Sequence, residues 1–366
     1  MQYQPPFTTH RARDYRSGAF PFSTRDIGEA LPDYFRGRVG GKVEHPVAEA
    51  MLDSSMSLMR VARHYVQADM SEPDHSVLNR ALGASDFGHD LVTSVFATAT
   101  HAFNEVASGW RRILAPLRLP DFKPARIGSL SLSDFDVVPE HGEYQAFNLA
   151  AGTILDEDSI DTKGRSLVIS RHVFVNDDAG SIVTMSRAIG VQAALAVESE
   201  VASKLSDTGN LDDGAPLFSA TTGIENLYNA SGAAPSVTEF DTANTKLWRQ
   251  PTPAGSIAGL SARYLVCPPE LYGLSNVLAN SLFAMPAGSI DRPLDVICLP
   301  HLSSATEWYL LASPDVAPVL GLATLGDSPL LVERAKLPPN RDGIGIKARI
   351  DFRVLRMSRV GAVKVY

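Results

Sequence analysis

The stretch Gly128-Ser129-Leu130-Ser131-Leu132-Ser133-Asp134-Phe135-Asp136-Val137-Val138-Pro139 decides the fold of this chain. Apolar and polar residues alternate along it, which predicts a strand with one apolar face. Prolines and a glycine mark its bends, and an acidic run, residues 156–158, follows it. Because a two-stranded ribbon is marginally stable alone in water, we expect the excursion over residues 128–170 to lie on another subunit.

Amphipathic helices are predicted on both sides of this excursion. Apolar residues recur at steps of three and four over residues 47–67, near 74–82, and from 86 to 106, where Ser85 or Asp86 can cap the helix. The same spacing continues over residues 181–205, from Ile182 to Leu205. We interpret these apolar rows as packing faces.

Residues 1–46 are rich in Pro, Gly and Arg and contain seven aromatic rings. This composition is typical of an extended arm that wraps over another subunit, or else of a solvated tail. The aromatic rings favour the arm, because a tail that stays in water has little use for them.

After residue 207 the pattern changes to short apolar runs separated by Pro and Gly, which predicts a mixed α/β lobe. Strands are expected over residues 262–267, 294–299, 307–312 and 330–333, with a helix near 269–284. The alternation over residues 345–357 predicts a long final strand with one buried face.

Composition excludes several classes of protein. A chain of 366 residues with 45% hydrophobic residues has ample material for a core and is too long for one ordinary domain. Its net charge of −8 argues against a protein that coats nucleic acid with its whole surface. The N-terminus lacks a signal-peptide core, and no apolar run approaches the ~20 residues of a membrane span. Cys267 and Cys298 are expected to be reduced thiols in a reducing cytoplasm.

No motif for catalysis or cofactor binding is found in the sequence, so we predict no catalytic residue, no cofactor and no metal site. The acids Asp156, Glu157, Asp158 and Asp161 lack the spacing of a calcium loop, so a solvated loop tip is the simpler interpretation. Asp86 with His89 or Asp90 has the types of an acid-base pair, but helix capping explains the aspartate more simply.

Several short strings resemble, in order and spacing, the tailed-phage major capsid proteins that are often encoded as fusions behind a prohead protease. They are Ser85-Asp86-Phe87, Trp110-Arg111-Arg112, Leu119-Pro120-Asp121-Phe122-Lys123-Pro124, Val138-Pro139-Glu140-His141-Gly142-Glu143-Tyr144, Asn176-Asp177-Asp178, Asp212-Asp213-Gly214-Ala215-Pro216-Leu217-Phe218, Arg263-Tyr264-Leu265-Val266-Cys267-Pro268-Pro269, Trp308-Tyr309-Leu310 and Asp342-Gly343-Ile344. The resemblance covers roughly residues 50–366. It implies an α+β fold of the Hong Kong 97 type.

The resemblance also implies how the chain is divided. Residues 1–110 would form the N-terminal arm and helices, 111–180 the extension loop with flanking peripheral-domain strands, and 181–206 the spine helix of the peripheral domain. Residues 207–336 would form the axial domain, and 337–366 a strand returning to the peripheral domain.

The implied function is a major capsid protein that self-assembles into hexamers and pentamers around double-stranded DNA. The implied partners are other copies of the chain, portal and decoration proteins, the prohead protease, and DNA bound non-specifically on the inner face, with no membrane. The implied location is the virion capsid, assembled in the host bacterial cytoplasm. An encapsulin-like compartment holding enzyme cargo and an α/β hydrolytic enzyme are the alternatives.

A capsid subunit is expected to have contact surfaces in place of a pocket. The predicted intersubunit contacts are Pro139, Glu140, His141, Gly142, Glu143, Tyr144, Asp156, Glu157, Asp158, Asp161, Lys163 and Arg165, and, in loops of the axial lobe near residues 321–328, Gly321, Gly326 and Asp327. We expect the acidic run to meet basic residues of a neighbour. Some members of this fold class crosslink subunits through Lys and Asn, but the flanks of Lys163 and Asn340 do not resemble crosslinking sites.

Overall fold

A computed structural model describes residues 22–83, 85–106, 109–132, 149–221, 224–252, 255–283, 294–326, 329–337 and 343–366. Its helices are α1 (Thr24–Arg38), α2 (Pro46–Asp53), α3 (Leu58–Tyr65), α4 (Asp74–Gly83), α5 (Ser85–Glu105), α6 (Arg171–Val175), α7 (Ala179–Ser206), α8 (Val237–Trp248) and α9 (Pro269–Phe283). Its strands are β1 (Leu114–Leu119), β2 (Ala125–Leu132), β3 (Leu149–Asp158), β4 (Asp161–Ser170), β5 (Leu227–Tyr228), β6 (Tyr264–Cys267), β7 (Asp295–Cys298), β8 (Trp308–Leu311), β9 (Leu320–Leu325), β10 (Leu330–Ala335), β11 (Gly343–Arg356) and β12 (Ala362–Val365). The predicted α+β class is confirmed.

The chain divides into two compact units, and neither is continuous in sequence. The first comprises Met1–Val106, Lys163–Ala194 and Leu330–Ile350, and the second comprises Ala107–Thr162, Leu195–Pro329 and Asp351–Tyr366. The five-part division expected from the resemblance stays a prediction.

The first unit has a helical core in which α1 is a central element. Ser23 caps α1 reciprocally with Asp26, and the helix buries Ile27, Leu31, Tyr34 and Phe35 among residues of α2 to α5. The expectation of an extended arm is therefore wrong for residues 24–38, because their apolar side chains fill the core of their own chain. Residues 1–21 lie outside the described part.

The helix predicted over residues 47–67 is divided into α2 and α3. Ser55 between them has a φ of 53°, a left-handed conformation that interrupts helical hydrogen bonding, and Ser57 caps α3. The helices predicted near residues 74–82 and 86–106 are confirmed as α4 and α5.

Helix α7 confirms the long helix predicted over residues 181–205. At Gly190 it comes so close to α5 that an added Cβ would meet the Ala99 carbonyl oxygen and the Phe103 nitrogen. Only glycine permits this approach between the two helix backbones.

Two sheets carry most of the second unit. The first has the order β5-β12-β8-β6-β7, and α8 and α9 pack on one of its faces around Leu265, Cys267, Trp308 and Leu310. In the other, β9 pairs in parallel with β1 and antiparallel with the second half of β11. The predicted strands β6, β7, β8, β10 and β11 and the helix α9 are confirmed, whereas β1, β9, β12 and α8 were not predicted.

Candidate functional site

The excursion begins as an antiparallel pair, β2 and β3, which among the described residues pair only with each other. Ala125 lies opposite Asp158 and Ile127 opposite Asp156, and the register shifts at Gly128. Ala125 and Ile127 pack on a small cluster formed by Ile160, Ala323 and Leu355. The base of the excursion is thereby fixed to the second unit.

A buried ion pair reinforces this base. The Asp156 side chain is 5% exposed. Its carboxylate accepts a hydrogen bond from the Arg356 backbone nitrogen at 2.8 Å. It also accepts from Nη2 and Nε of the Arg356 guanidinium, at 3.1 and 3.3 Å. Nη1 of the same guanidinium reaches Asp207 at 2.7 Å. This geometry is the two-point pairing that makes arginine and carboxylate bind strongly.

A second set of charges lies beside the first. The Asp158 carboxylate accepts from Arg353 at 2.6 Å and from Lys204 at 3.2 Å, and Arg353 also contacts Asp161 at 2.8 Å. Burial opposes ionisation of Asp158, but the hydrogen bonds from Arg353 and Lys204 outweigh it and lower the pKa of the carboxyl. Asp158 is therefore held as an anion between two cations.

The turn after α7 supplies a third set of charged residues. Asp212 accepts from the Glu157 backbone nitrogen at 2.6 Å, and Asp213 pairs with the Arg359 guanidinium. The hydrogen bond from Arg359 lowers the pKa of Asp213 despite its partial burial. We call these charges together the anchor network: Asp156, Asp158, Asp161, Lys204, Asp207, Asp212, Asp213, Arg353, Arg356 and Arg359.

The anchor network corrects two predictions about the acidic run. Asp156 and Asp158 lie in β3 and not at a loop tip, and they pair with basic residues of their own chain. The expectation that both are available to basic residues of a neighbour is therefore wrong. Glu157 is exposed and pairs across the ribbon with Arg126 at 3.1 Å. Within the described ranges, no group of three or more His, Cys, Asp or Glu is arranged to hold a metal ion.

The other predicted contact residues have different positions. Asp161, Lys163 and Arg165 lie on the exposed first half of β4, where an intersubunit role stays a prediction. Gly321 was expected in a loop, but it is buried in β9 against Met357, so that expectation is wrong. Gly326 follows β9 with a φ of 77°. The remaining predicted residues, 139–144 and 327, lie outside the described part, as does Asn340.

The basic members of the anchor network were not predicted as functional. Arg353, Arg356 and Arg359 recur every three residues at the end of β11 and beyond, in a chain whose net charge is −8. Two acid-rich segments, residues 156–161 and 207–213, carry the opposite charge. These opposite charges were the available signal, but the sequence does not show that segments about 200 residues apart are neighbours.

Asp90, one of the residues considered for acid-base chemistry, has a structural contact. The Tyr65 hydroxyl donates to Asp90 at 2.6 Å, and burial together with this carboxylate raises the pKa of Tyr65.

Cys267 and Cys298 are opposite each other in β6 and β7 and are not bonded, as expected. Burial raises the pKa of the Cys267 thiol to about 11. A thiol with such a pKa is a poor nucleophile at neutral pH.

Helix α7 corrects the expectation that no segment approaches a membrane span. Its 28 residues are long and apolar enough to cross a membrane by length and composition. A helix in the core of a folded protein meets the same criteria, and α7 buries Ala194, Val197, Val201 and Leu205 inside this chain. The length of α7 is therefore weak support for a membrane role.

A sequence model of a family described as phage capsid protein matches residues 157–365. This match covers more than half of the chain and includes β4, α7, β11 and all basic members of the anchor network. The chain belongs to this phage capsid protein family. The predictions of a major capsid protein, a structural component of the virion shell, are confirmed.

Solved structures with a similar fold include shell proteins. The capsid structure of Helicobacter pylori bacteriophage KHP30 is 11% identical, with 71% of this chain and 90% of that chain covered and a TM-score of 0.48. The capsid of cyanophage P-SCSP1u is 14% identical, with 71% of this chain and 88% of that chain covered and a TM-score of 0.43. The SrpI encapsulin of Synechococcus elongatus is 10% identical, with 72% of this chain and 88% of that chain covered and a TM-score of 0.45. No curated protein matches the chain. The assignment depends on the family and not on these likenesses.

Proposed function

We propose that this capsid protein is the subunit of a Hong Kong 97-type icosahedral shell, in which hexamers and pentamers enclose double-stranded DNA. In this proposal the β2–β3 ribbon is the extension loop, α7 is the spine helix, and the lobe with sheet β5-β12-β8-β6-β7 is the axial domain. The proposed partners are further copies of the chain, the portal, a decoration protein, and the prohead protease during maturation in the host cytoplasm.

One observation supports the proposal best. The β2–β3 ribbon is fixed at its base by the anchor network and by apolar packing, yet beyond Gly128 the described parts of its strands pair with no third strand. Two strands alone are marginally stable in water. A neighbouring subunit would supply the missing packing surface.

Electron microscopy and analytical ultracentrifugation of the purified chain test the proposal. We expect rings of five or six subunits, or closed shells, because an interface between unlike surfaces closes into rings when its rotation permits. A strictly monomeric species at high concentration, across salt and pH, would refute it. Particles isolated from infected or induced cells should contain DNA, whereas an enzyme cargo would indicate an encapsulin-like compartment.

A further inference from the structure

Two apolar patches on the second unit are exposed to solvent. The first, which we call the hairpin patch, consists of Trp248 and Ile257 with the adjacent Arg249. Trp248 is 50% exposed and Ile257 is 70% exposed. Trp248 ends α8, Pro251 is bridged to Ile257, and the Gly259 nitrogen donates to the Trp248 carbonyl at 3.2 Å. Backbone hydrogen bonds therefore connect the segment that carries Ile257 to the end of α8.

The second patch, which we call the helix patch, consists of Glu270, Leu274 and Val277 on α9. These residues are four and three positions apart and so share one face of the helix. Leu274 is 50% exposed and Val277 is 67% exposed, while Leu271, Leu278 and Leu282 on the adjacent face are buried. Large apolar side chains grouped on an exposed face mark interaction sites.

The two patches lie at different helices of the layer that packs on the sheet β5-β12-β8-β6-β7. Helix α8 contacts β12, and α9 contacts β6 and β7 on the same face of the sheet. In the order β5-β12-β8-β6-β7, strands β12 and β7 are three positions apart, about 14 Å at the usual strand spacing. A subunit therefore carries one patch on each flank of its helical layer.

The charges of the patches are complementary. Arg249 is exposed beside Trp248, and Glu270 is exposed on the face of Leu274. Within the described part of the chain neither residue has an ion-pair partner. Asp241 shares the outward face of α8 with Trp248, but it is seven residues, about 10 Å, farther along the helix.

We propose, as an extension of the proposed function, that the helix patch of one copy binds the hairpin patch of the next copy around a rotation axis. Leu274 and Val277 would cover Trp248 and Ile257, and Glu270 would pair with Arg249. An interface between two unlike patches on the same subunit is the kind that closes into a ring. An apolar centre with a charged pair at its rim is the usual composition of such a contact.

Charge reversal tests this pairing directly. Arg249→Glu and Glu270→Arg each bring like charges together, and we expect each to raise the concentration needed for half-maximal assembly more than tenfold. The double variant restores opposite charges, and we expect it to assemble close to wild type. Lys336→Glu is the matched control, because Lys336 is exposed in the other unit. Light scattering and sedimentation give the assembled fraction.

The melting temperature of unassembled subunits controls for misfolding, because Arg249 and Glu270 are exposed and their reversal should leave it unchanged. If wild-type protein assembles and both single variants assemble equally well, the patches serve another partner and this inference is wrong, while the proposed function stands. A double variant no better than either single variant also overturns the pairing. Failure of the wild type to assemble refutes the proposed function itself.

Discussion

At the scale of single residues, Arg356 forms the most deeply buried ion pair of the anchor network, with Asp156. Its side chain and that of Asp156 are both almost completely buried, and it also pairs with Asp207. Arg356→Met would leave the Asp156 carboxylate buried without a cation. We expect the free energy of unfolding to fall by about 3–5 kcal/mol, measured by urea denaturation of the unassembled subunit.

Arg126→Met is the matched control for this change. Arg126 pairs with Glu157 on the same ribbon, but its side chain is mostly in water, so its pair is worth at most about 1 kcal/mol. Equal losses in the two variants would mean that the buried pair contributes no more than an exposed one.

The pKa of Asp158 predicts an acid dependence of stability. Its folded-state pKa lies below the ordinary value because Arg353 and Lys204 outweigh the effect of burial. A carboxyl with a lowered pKa stabilises the fold fully above its unfolded pKa, near ~3.9, and loses that contribution as pH falls through the folded value. Stability should therefore decline below about pH 4.

Asp158→Asn should flatten this decline, as measured by melting temperature between about pH 5 and pH 2. Asp207 and Asp213 also have lowered pKa values. The melting temperature of the variant should therefore still fall with pH, but less steeply than that of the wild type. A variant that follows the wild-type curve throughout this range would show that Asp158 is not coupled to folding.

At the scale of elements, the close contact between α5 and α7 makes Gly190 sensitive to the addition of one methyl group. A Cβ at this position would meet backbone atoms of Ala99 and Phe103, which cannot move aside without separating the helices. We expect Gly190→Ala to destabilise the subunit by about 1–3 kcal/mol in denaturant unfolding.

Gly273 in α9 is the control for helical glycine. Nothing lies within 4 Å of a Cβ built on it. Gly273→Ala should therefore stabilise the subunit by up to about 1 kcal/mol through helix propensity. If both substitutions stabilise, α5 and α7 are not in tight contact.

Local patterns predicted elements well and long-range pairing poorly. The period of apolar residues located α5, α7 and α9, because each helix buries one face against its own chain. The alternation of β2 was visible, but the arginine partners of Asp156 and Asp158 were not, because they are about 200 residues away in β11. Gly321 was assigned to a loop since glycine marks turns, whereas here it is buried in β9 against Met357.

Residues 1–46 were also assigned from local composition alone. Their Pro, Gly and Arg content predicted an extended arm. Tyr34 and Phe35 are instead buried in the core of the first unit, and the Tyr34 hydroxyl donates to the Met56 carbonyl. Deleting residues 1–46 would remove α1 and expose that core.

At the scale of the whole molecule, assembly should change the β2–β3 ribbon more than its base. Residues 155–158 are held within the subunit by the anchor network, whereas the ribbon beyond Gly128 has no third strand in the described residues. We expect amides of residues 128–132 and 149–154 to exchange with solvent at least tenfold more slowly in shells than in free subunits. Equal protection in the two states would mean that the ribbon belongs to its own subunit alone.

The distance along the chain between the partners of the anchor network sets an order in time. Asp156 and Asp158 leave the ribosome about 200 residues before Arg356 and Arg353. At ~5–20 residues per second this is a delay of about 10–40 s, during which both carboxylates lack their arginine partners. These two ion pairs cannot form before the arginines are synthesised, whereas Lys204 and Asp212 can contact β3 earlier. The buried charges at the base of the ribbon are therefore complete only after about 200 further residues have been made.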